Sequence, residues 1–551
     1  MRYLITSIVV LAMTSSLAPQ TSPTGVEQRA QGTRPPAVIA ESFDGLGVGF
    51  TGPQGSTSLR NPSDNTLAVG PNDIVQIVNT RMAVFSKRGK KYAETGKVLY
   101  GPVVTNAVFQ GFGGPCETQN NGDAVVRYDQ LANRWLIVMP IFRRSPVRPD
   151  QPEAPPVDGK VHMSTPGHTD QPGAAKQLTL PPVPNPTPFP VRSPQPSPSP
   201  RPSPTPTPAG PLGTYSMCYA VSTGTDPLGS YYRYEFVRPL FPDYPRPAVW
   251  PDGYYTPTST GDDVIQKHTC VAERDKMLKG EPAREMCVVI DGVNFLNNAD
   301  LDGTRLPPKG EPNIVMAGGG TQLKGVLKDD KVFAWKFHVD WETPDNSKLE
   351  GPTQIPVAPY EYLCGGQLTN CVPQPGVERR LDSQGDKIVP RLVYRRIGGH
   401  ESIVATHSIA TAAGGGGIRW YEFRLDAQST PKLYQQGTYA PDGFYRWLGS
   451  AAIDKNGNIG IGYSFGGTPN FAGQRFTGRL AKDPLGQLTL REAILANGEA
   501  SQTSTLRWED YTQTAVDPSD DCTIWYVGDY LKKDATSYSS RIGAFRMPGC
   551  R

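Results

Sequence analysis

Acidic residues recur at one kind of place in this chain, and carboxylates are the groups from which acid–base chemistry and cation binding are built. Asp64, Asp123, Asp243 and Asp510 each stand a few residues or fewer ahead of an alanine that opens a short apolar run, and Glu509 adjoins the last of them. Two carboxyls in different environments serve as acid and as base or nucleophile in glycosidic cleavage, and several converging on one point hold calcium through oxygen. The competing explanation is local, because Asp bonds nearby backbone amides and so gathers at turns. Glu117, Arg446, Trp447, Arg507 and Trp508 share these loops, and Tyr254 lies in a strand that follows one. The tryptophans and Tyr254 are candidate stacking platforms for a ligand, and the arginines are candidate polar contacts.

Other motifs carry less. Asn298, Asp300 and Asp302 before Gly303 put three oxygen ligands on alternate residues, as calcium loops do, but the twelfth position is Lys309, so Glu311 would have to complete the site. Gly462-Tyr463-Ser464-Phe465-Gly466 matches a nucleophile elbow, yet GGTPNFAG cannot start the helix that must follow. All six histidines also precede Ser464, against the order of that hydrolase fold. GVGFTG at 47–52 mimics a dinucleotide fingerprint without the following helix. His400 and His407 fall on opposite faces of a strand and cannot share a metal.

The elements that position the acids are read from a repeat. LAVGPNDIVQIVN (67–79), DAVVRYDQLANRWLIV (123–138), PAVWPDGYYTPT (247–258), SAAIDKNGNIGIGYS (450–464) and TAVDPSDDCTIWYV (514–527) share one grammar: small residue, apolar strand, Asp/Asn/Gly/Pro turn, second strand. The step is about 55–64 residues once a Pro-rich insertion is removed, and the gap between the third and fourth copies has room for about two more units. PNIVMAG with KVFAWKFHVD, and RLVYRR with ESIVATHSIA and GIRWYEFR, supply their strands. The expected fold is an all-β propeller of about seven four-stranded blades, occupying 41–551 as a single domain, with the loops that enter the inner strands gathered on one rim.

Composition agrees with that architecture. The chain has 551 residues with 58 Gly and 56 Pro and is 37% hydrophobic, which suits many short strands joined by turns. Its net charge of +3 leaves no nucleic-acid footprint. Residues 1–18 read as a signal peptide, with Arg2, an apolar run over 4–13 and Ser16-Leu17-Ala18 for cleavage, and no membrane span follows. The expectation is a secreted monomer, extracellular or periplasmic, with 19–40 disordered or extended and 143–211 a disordered insertion inside one blade. The eight cysteines predict disulfides, Cys364 with Cys371 and Cys522 with Cys550 among them; the absence of CxxC argues against zinc.

Long motifs carry a resemblance. GPCETQNNGDAVVRYDQLANRWLIV, DYPRPAVWPDGYY, TYAPDGFYRWLGSAAIDKNGNIGIGYS and RWEDYTQTAVDPSDDCTIWYVGDY resemble a family of large secreted bacterial propeller-like proteins whose activity is unassigned. The resemblance implies fold and export and transfers no catalytic residue. Ser519 to Trp525 is more loosely similar to the Asp box of sialidase-type propellers, a structural turn that says nothing of chemistry. The function expected first is binding of an extracellular glycan, surface polymer or protein on the rim. A glycoside hydrolase or lyase using two rim carboxylates is the alternative, and a structural role is the third. No cofactor is required by any of these, with calcium the one candidate.

Overall fold

Turns rich in Asp, Gly and Pro fold each apolar run back on its sequence neighbour. In the first such unit Thr66–Val69, Asp73–Val78, Arg81–Ser86 and Val98–Val104 pair antiparallel in chain order. The computed structural model describes residues 26–58, 61–144, 152–171, 173–178, 213–259, 266–293, 295–319, 330–366 and 370–551. Within them the same four-stranded meander recurs, with first strands Thr66–Val69, Val125–Asp129, Ala248–Trp250, Leu296–Leu301, Leu392–Ile397, Tyr445–Ile453 and Gln513–Val516. Each first strand adjoins the next, and the last adjoins the first, so the meanders form a ring around a common axis. The fold is all-β and propeller-like. Ala299–Leu301 pair in parallel with Leu392–Tyr394, which fuses two meanders into one nine-stranded sheet and shows that neighbouring inner strands run the same way.

Because meanders pack face to face, both sides of the inner strands are buried, and runs such as DIVQIV carry apolar residues nearly throughout. Where two sheets approach closely only glycine fits. A Cβ on Gly462 would stand 2.4 Å from the ring of Tyr526 in the next sheet. Val38–Asp44 lies beside Ser539–Arg546 and supplies the outer strand of the last meander, so the two ends of the chain close the ring together. Within 19–40, expected to be disordered or extended, Glu27–Gln28 pair with Thr438–Tyr439.

The stretch 143–211, expected to be a disordered insertion, carries short strands where it is described. His162–Ser164 extends the edge of the third sheet, and His168–Thr169 and Lys176–Gln177 pair with the edge strand of the second. Open strand edges present unpaired amides and carbonyls that a passing segment can satisfy. The stretch 179–212, with its Ser-Pro repeats, lies outside the described residues, as does the expected signal peptide at 1–18.

All eight cysteines pair: Cys116–Cys218, Cys270–Cys287, and the two expected bridges Cys364–Cys371 and Cys522–Cys550. Four disulfides suit an oxidising compartment, and no helix among the described residues is long and apolar enough to cross a membrane. Cys522–Cys550 closes a 28-residue span in the sheet that completes the ring. Replacing both with serine is expected to lower stability by about 3–4 kcal/mol, the loop-closure entropy for such a span, read as a lower urea midpoint.

Candidate functional site

The loops that enter the inner strands all open at one end of the axis, because the strands they lead into run in the same direction. Several turn through the left-handed region at a residue other than glycine: Asp64 (φ 49°), Asp123 (φ 54°), Tyr244 (φ 53°), Gln384 (φ 46°), Leu448 (φ 51°) and Asp510 (φ 68°). Asp tolerates this conformation better than most residues, whereas Tyr, Gln and Leu do so at some strain, and such strain is characteristically held where side chains must be aimed. The tight turns swing carboxyls from successive meanders toward the axis.

Four of the five acids singled out by sequence meet there. The carboxyl of Asp64 is within hydrogen-bond reach of that of Asp123, which is in turn within reach of Asp243. Asp510 is close enough to act on all three. Asp64 and Asp510 are buried, while Asp123 and Asp243 are half-buried. Asn79 Nδ2 donates to Asp64 Oδ2 at 2.5 Å, and the amide of Tyr244 donates to Asp123 Oδ2 at 3.3 Å. Burial pushes Asp64 well above the usual carboxylate range, and the charges of Asp123 and Asp510 add to the effect. Burial with the charges of Asp243 and Asp510 does the same to Asp123, and burial raises Asp243. Two adjacent carboxylates cannot both ionise cheaply, so the row shares protons.

A second group lies alongside. Asp382, also pushed up to about 8 by burial and by Asp510, accepts the amide of Trp508 at 3.0 Å and meets Arg507 Nε at 3.3 Å. Arg507 also bonds Asp510, so its guanidinium spans two of the acids. Lys387 is paired with Asp386 at 3.2 Å and sits over the rings of Phe295 and Tyr244. Asp382, Asp386 and Lys387 were not read from sequence as site residues. They belong to the connection between the fourth and fifth meanders, which lacks the repeat grammar, although DSQGDK is as rich in turn-forming acids as the loops that were recognised. Tyr511 is buried too: its hydroxyl has no hydrogen-bond partner among the described residues and feels the charges of Asp123, Asp64 and Asp510.

The remaining candidates are placed elsewhere. Glu509 points into the last two sheets, accepting from Ser464 Oγ at 2.7 Å, Gln474 Nε2 at 2.9 Å and the Asp529 amide. Ser464 is thereby fully occupied, receiving Trp508 Nε1 and Gln474 Nε2 at 2.9 Å each, which leaves no free nucleophile. The stacking platforms are corrected outright. Tyr254, Trp447 and Trp508 are all 0% exposed, because apolar residues at the rim are used to pack neighbouring sheets. Tyr254 donates to Asp129, and Arg446 is held in the interior by Asp442 and Glu492. Glu117 caps its own loop, accepting the amides of Gly111 and Gly113.

The expected calcium turn is also corrected. Asn298 and Asp300 lie in the strand Leu296–Leu301, with Asp302 just beyond it. Asn298 bonds Thr269 and Asn313; Asp300 and Asp302 are taken by Arg391 at 2.6 and 2.8 Å. A strand places alternate residues on one face as a metal loop would, which is why the sequence pattern is the same. Among the described residues the one group of three acid, Cys or His atoms close enough for a shared ion is Cys270, Glu285 and Cys287, whose sulfurs are already joined.

Arg391 bears on the site because it closes the channel beneath it. It bridges Asp300 and Asp302 and reaches Thr514 O, while Arg127 pairs with Asp300 and Gln513 Nε2 donates to Leu67 O at 2.5 Å. The space left between these side chains is about 30 Å³, too small for anything larger than a water molecule.

No family model and no curated protein matches the chain. Similar solved structures include a polysaccharide lyase of the PL25 ulvan lyase family (11% identity, 95% of both chains, TM-score 0.37). A protein of unknown function from Dyadobacter fermentans is similar at 9% identity over 93% of this chain and 100% of that one (TM-score 0.33). A NanB sialidase from Streptococcus pneumoniae is similar at 9% identity over 79% and 68% (TM-score 0.35).

Proposed function

We propose that this is an exported seven-bladed propeller that binds an extracellular, hydroxyl-rich ligand, a glycan, at the acid-lined mouth of its blocked channel. The observation that carries the reading is the row Asp64, Asp123, Asp243: three carboxyls brought together from successive meanders, none in an ion pair among the described residues, two of them half-buried. Like-charged acids gathered in a partly buried place are costly to the fold, and such groups concentrate where a ligand is met. Sugar hydroxyls both donate and accept, so they can bond carboxylates in either protonation state.

The paired-carboxylate hydrolase is the second reading, favoured by the shared protons, since one member can hold a proton while its neighbour is ionised. Against it, the neighbouring pairs Asp64–Asp123 and Asp123–Asp243 stand in hydrogen-bond contact, closer than the roughly 5–9 Å that glycosidic cleavage requires. Binding is therefore the primary assignment. A panel of neutral and charged oligosaccharides titrated calorimetrically into the protein and into Asp123→Asn tests it. At least one glycan is expected to bind the parent, with about tenfold or greater loss in the variant. Binding of none, or equal binding by a variant whose melting is unchanged, overturns it. Reducing-sugar or unsaturated-product release lost in Asp123→Asn would move the assignment to the hydrolase or lyase.

A further inference from the structure

We infer that the protein carries a second binding site, for the carboxylate or sulfate groups of an acidic oligosaccharide, in the cleft between the first and last meanders at the end of the ring opposite the acid mouth. It does not depend on the mouth. The loops that lead into Thr66–Val69 and Gln513–Val516 build the mouth, and the turns that leave those strands build the cleft. Four strand residues span about 13 Å, so one ligand group cannot lie in both places.

The first step is space and who lines it. The cleft is a cavity of about 620 Å³, within the roughly 300–1,000 Å³ of ligand pockets. The first meander contributes Lys87, Arg88 and Lys90 from the turn after Arg81–Ser86, the last contributes Asp517, Asp520 and Arg546, and Glu41 comes from Val38–Asp44. Four cations thus stand against three acids. The two buried members, Lys87 and Asp517, are paired at 2.5 Å, and Asp517 also accepts Trp525 Nε1 at 3.0 Å and the amide of Ser519 at 2.9 Å.

The second step is what each charge still has to give. Asp520 accepts the amides of Cys522 and Thr523 at 2.9 Å each, the Thr523 hydroxyl at 2.7 Å and Arg546 Nη2 at 3.1 Å, so it is as fully engaged as Asp517. The cations keep donors in hand. Arg88 meets Glu41 through one nitrogen at 3.3 Å and Arg546 meets Asp520 through one, although a guanidinium carries five N–H donors in a fork that fits paired oxyanion oxygens. Lys90 is exposed and has no ion pair among the described residues. The side chains of Arg88 and Arg546 are 63% and 50% exposed, and ion pairs at that exposure contribute little, so an entering anion displaces the carboxylates easily. A polymer charged at every unit would press anions against Glu41, whereas a glycan spaces its anions among hydroxyls that Glu41 can accept.

The chain carries a net charge of only +3, so diffuse attraction is slight and affinity for an anion must come from a local site. The test titrates hexagalacturonate, sulfated maltohexaose and plain maltohexaose calorimetrically into the full chain at neutral pH and low salt. At least one acidic hexasaccharide is expected to bind about tenfold tighter or more than the neutral one, and to weaken as salt is raised; which of the two binds names the anionic group. Arg88→Gln and Arg546→Gln are each expected to cost about threefold to tenfold, and together tenfold or more. Lys432→Gln removes the same charge from a side chain 63% exposed on the fifth meander and is expected to leave the affinity as it was. An equal loss in Lys432→Gln, binding that survives in the double arginine variant, or no binding of either acidic hexasaccharide overturns the inference. A loss in Asp123→Asn instead of the arginine variants would place the acidic sugar in the mouth and overturn the cleft, leaving the mouth's own reading intact. Arginine-dependent binding to phosphatidylglycerol vesicles, with neither hexasaccharide bound, would overturn it in favour of a lipid surface.

Discussion

Replacing Arg391 with leucine is expected to destabilise the protein by about 3–5 kcal/mol, the range for removing one partner of a buried ion pair. Arg391 is buried, its Nε bonds Asp300 and its terminal nitrogen bonds Asp302, and both acids are themselves buried. The substitution strands two carboxylates between inner strands; Arg127 keeps only a 3.4 Å contact with one of them. Asp300 also receives the amide of Val249 and Asp302 that of Ile453, so two further strands lose alignment when the acids rearrange. Equilibrium urea unfolding of Arg391→Leu reads the loss. Adding Asp300→Asn and Asp302→Asn is expected to restore much of it, since neutral amides do not demand a counter-charge. A single substitution within about 0.5 kcal/mol of the parent would show that the axis is not held by this arginine.

This cluster also marks where sequence reasoning misled. Five meanders were legible because their inner strands begin at a small residue and end at an Asp- or Gly-rich turn. Those turns behave locally: Asp129 accepts the amides of Leu131 and Ala132, Asp454 those of Asn456 and Asn458, and Asp520 those of Cys522 and Thr523. The fourth inner strand, Leu296–Leu301, breaks the pattern with polar residues at Asn297, Asn298 and Asp300. It is a strand because partners from other sheets satisfy those residues, Arg391 from the fifth and Thr269 from the third. No local rule anticipates partners some ninety residues away.

The acids at the mouth were legible for the opposite reason. They stand ahead of the strand, where a turn-capping Asp would be redundant, and they repeat in step with the strands, so ring closure alone brings them together. The aromatic residues beside them share that register but face the other way. Trp447 and Trp508 have ring centroids 6.2 Å apart within the apolar cluster that also buries Leu363 and Leu381. Which way a side chain turns at a left-handed residue is set by the packing of the next sheet. A one-dimensional pattern does not contain that information, and so Asp64, Asp123, Asp243 and Asp510 meet while Glu509 and the expected platforms turn into the sheets.

Asp123→Asn is expected to change the pH dependence of stability as well as binding. Folding raises the pKa of Asp64, Asp123 and Asp243 above the ordinary 3.8, and that of Asp382 to about 8. Between those limits the folded chain holds protons that the unfolded chain has released. The contribution of these acids is therefore most favourable below pH 3.8 and is lost progressively as pH rises through the folded values. Carboxylates such as Asp44 and Glu492, which Lys532, Arg541 and Arg446 hold below their ordinary values, act in the opposite sense, so the informative quantity is variant minus parent. Asparagine keeps the shape, can donate to Asp64 or Asp243 without a proton, and removes a like charge. The variant is expected to match the parent near pH 4 and to exceed it by about 1–3 kcal/mol near pH 8, the scale of one buried unsatisfied charged group. Urea midpoints across pH 4–8 measure it. A gap that does not widen with pH would mean that the three acids ionise independently, and the proton-sharing row on which the binding site rests would be lost with it.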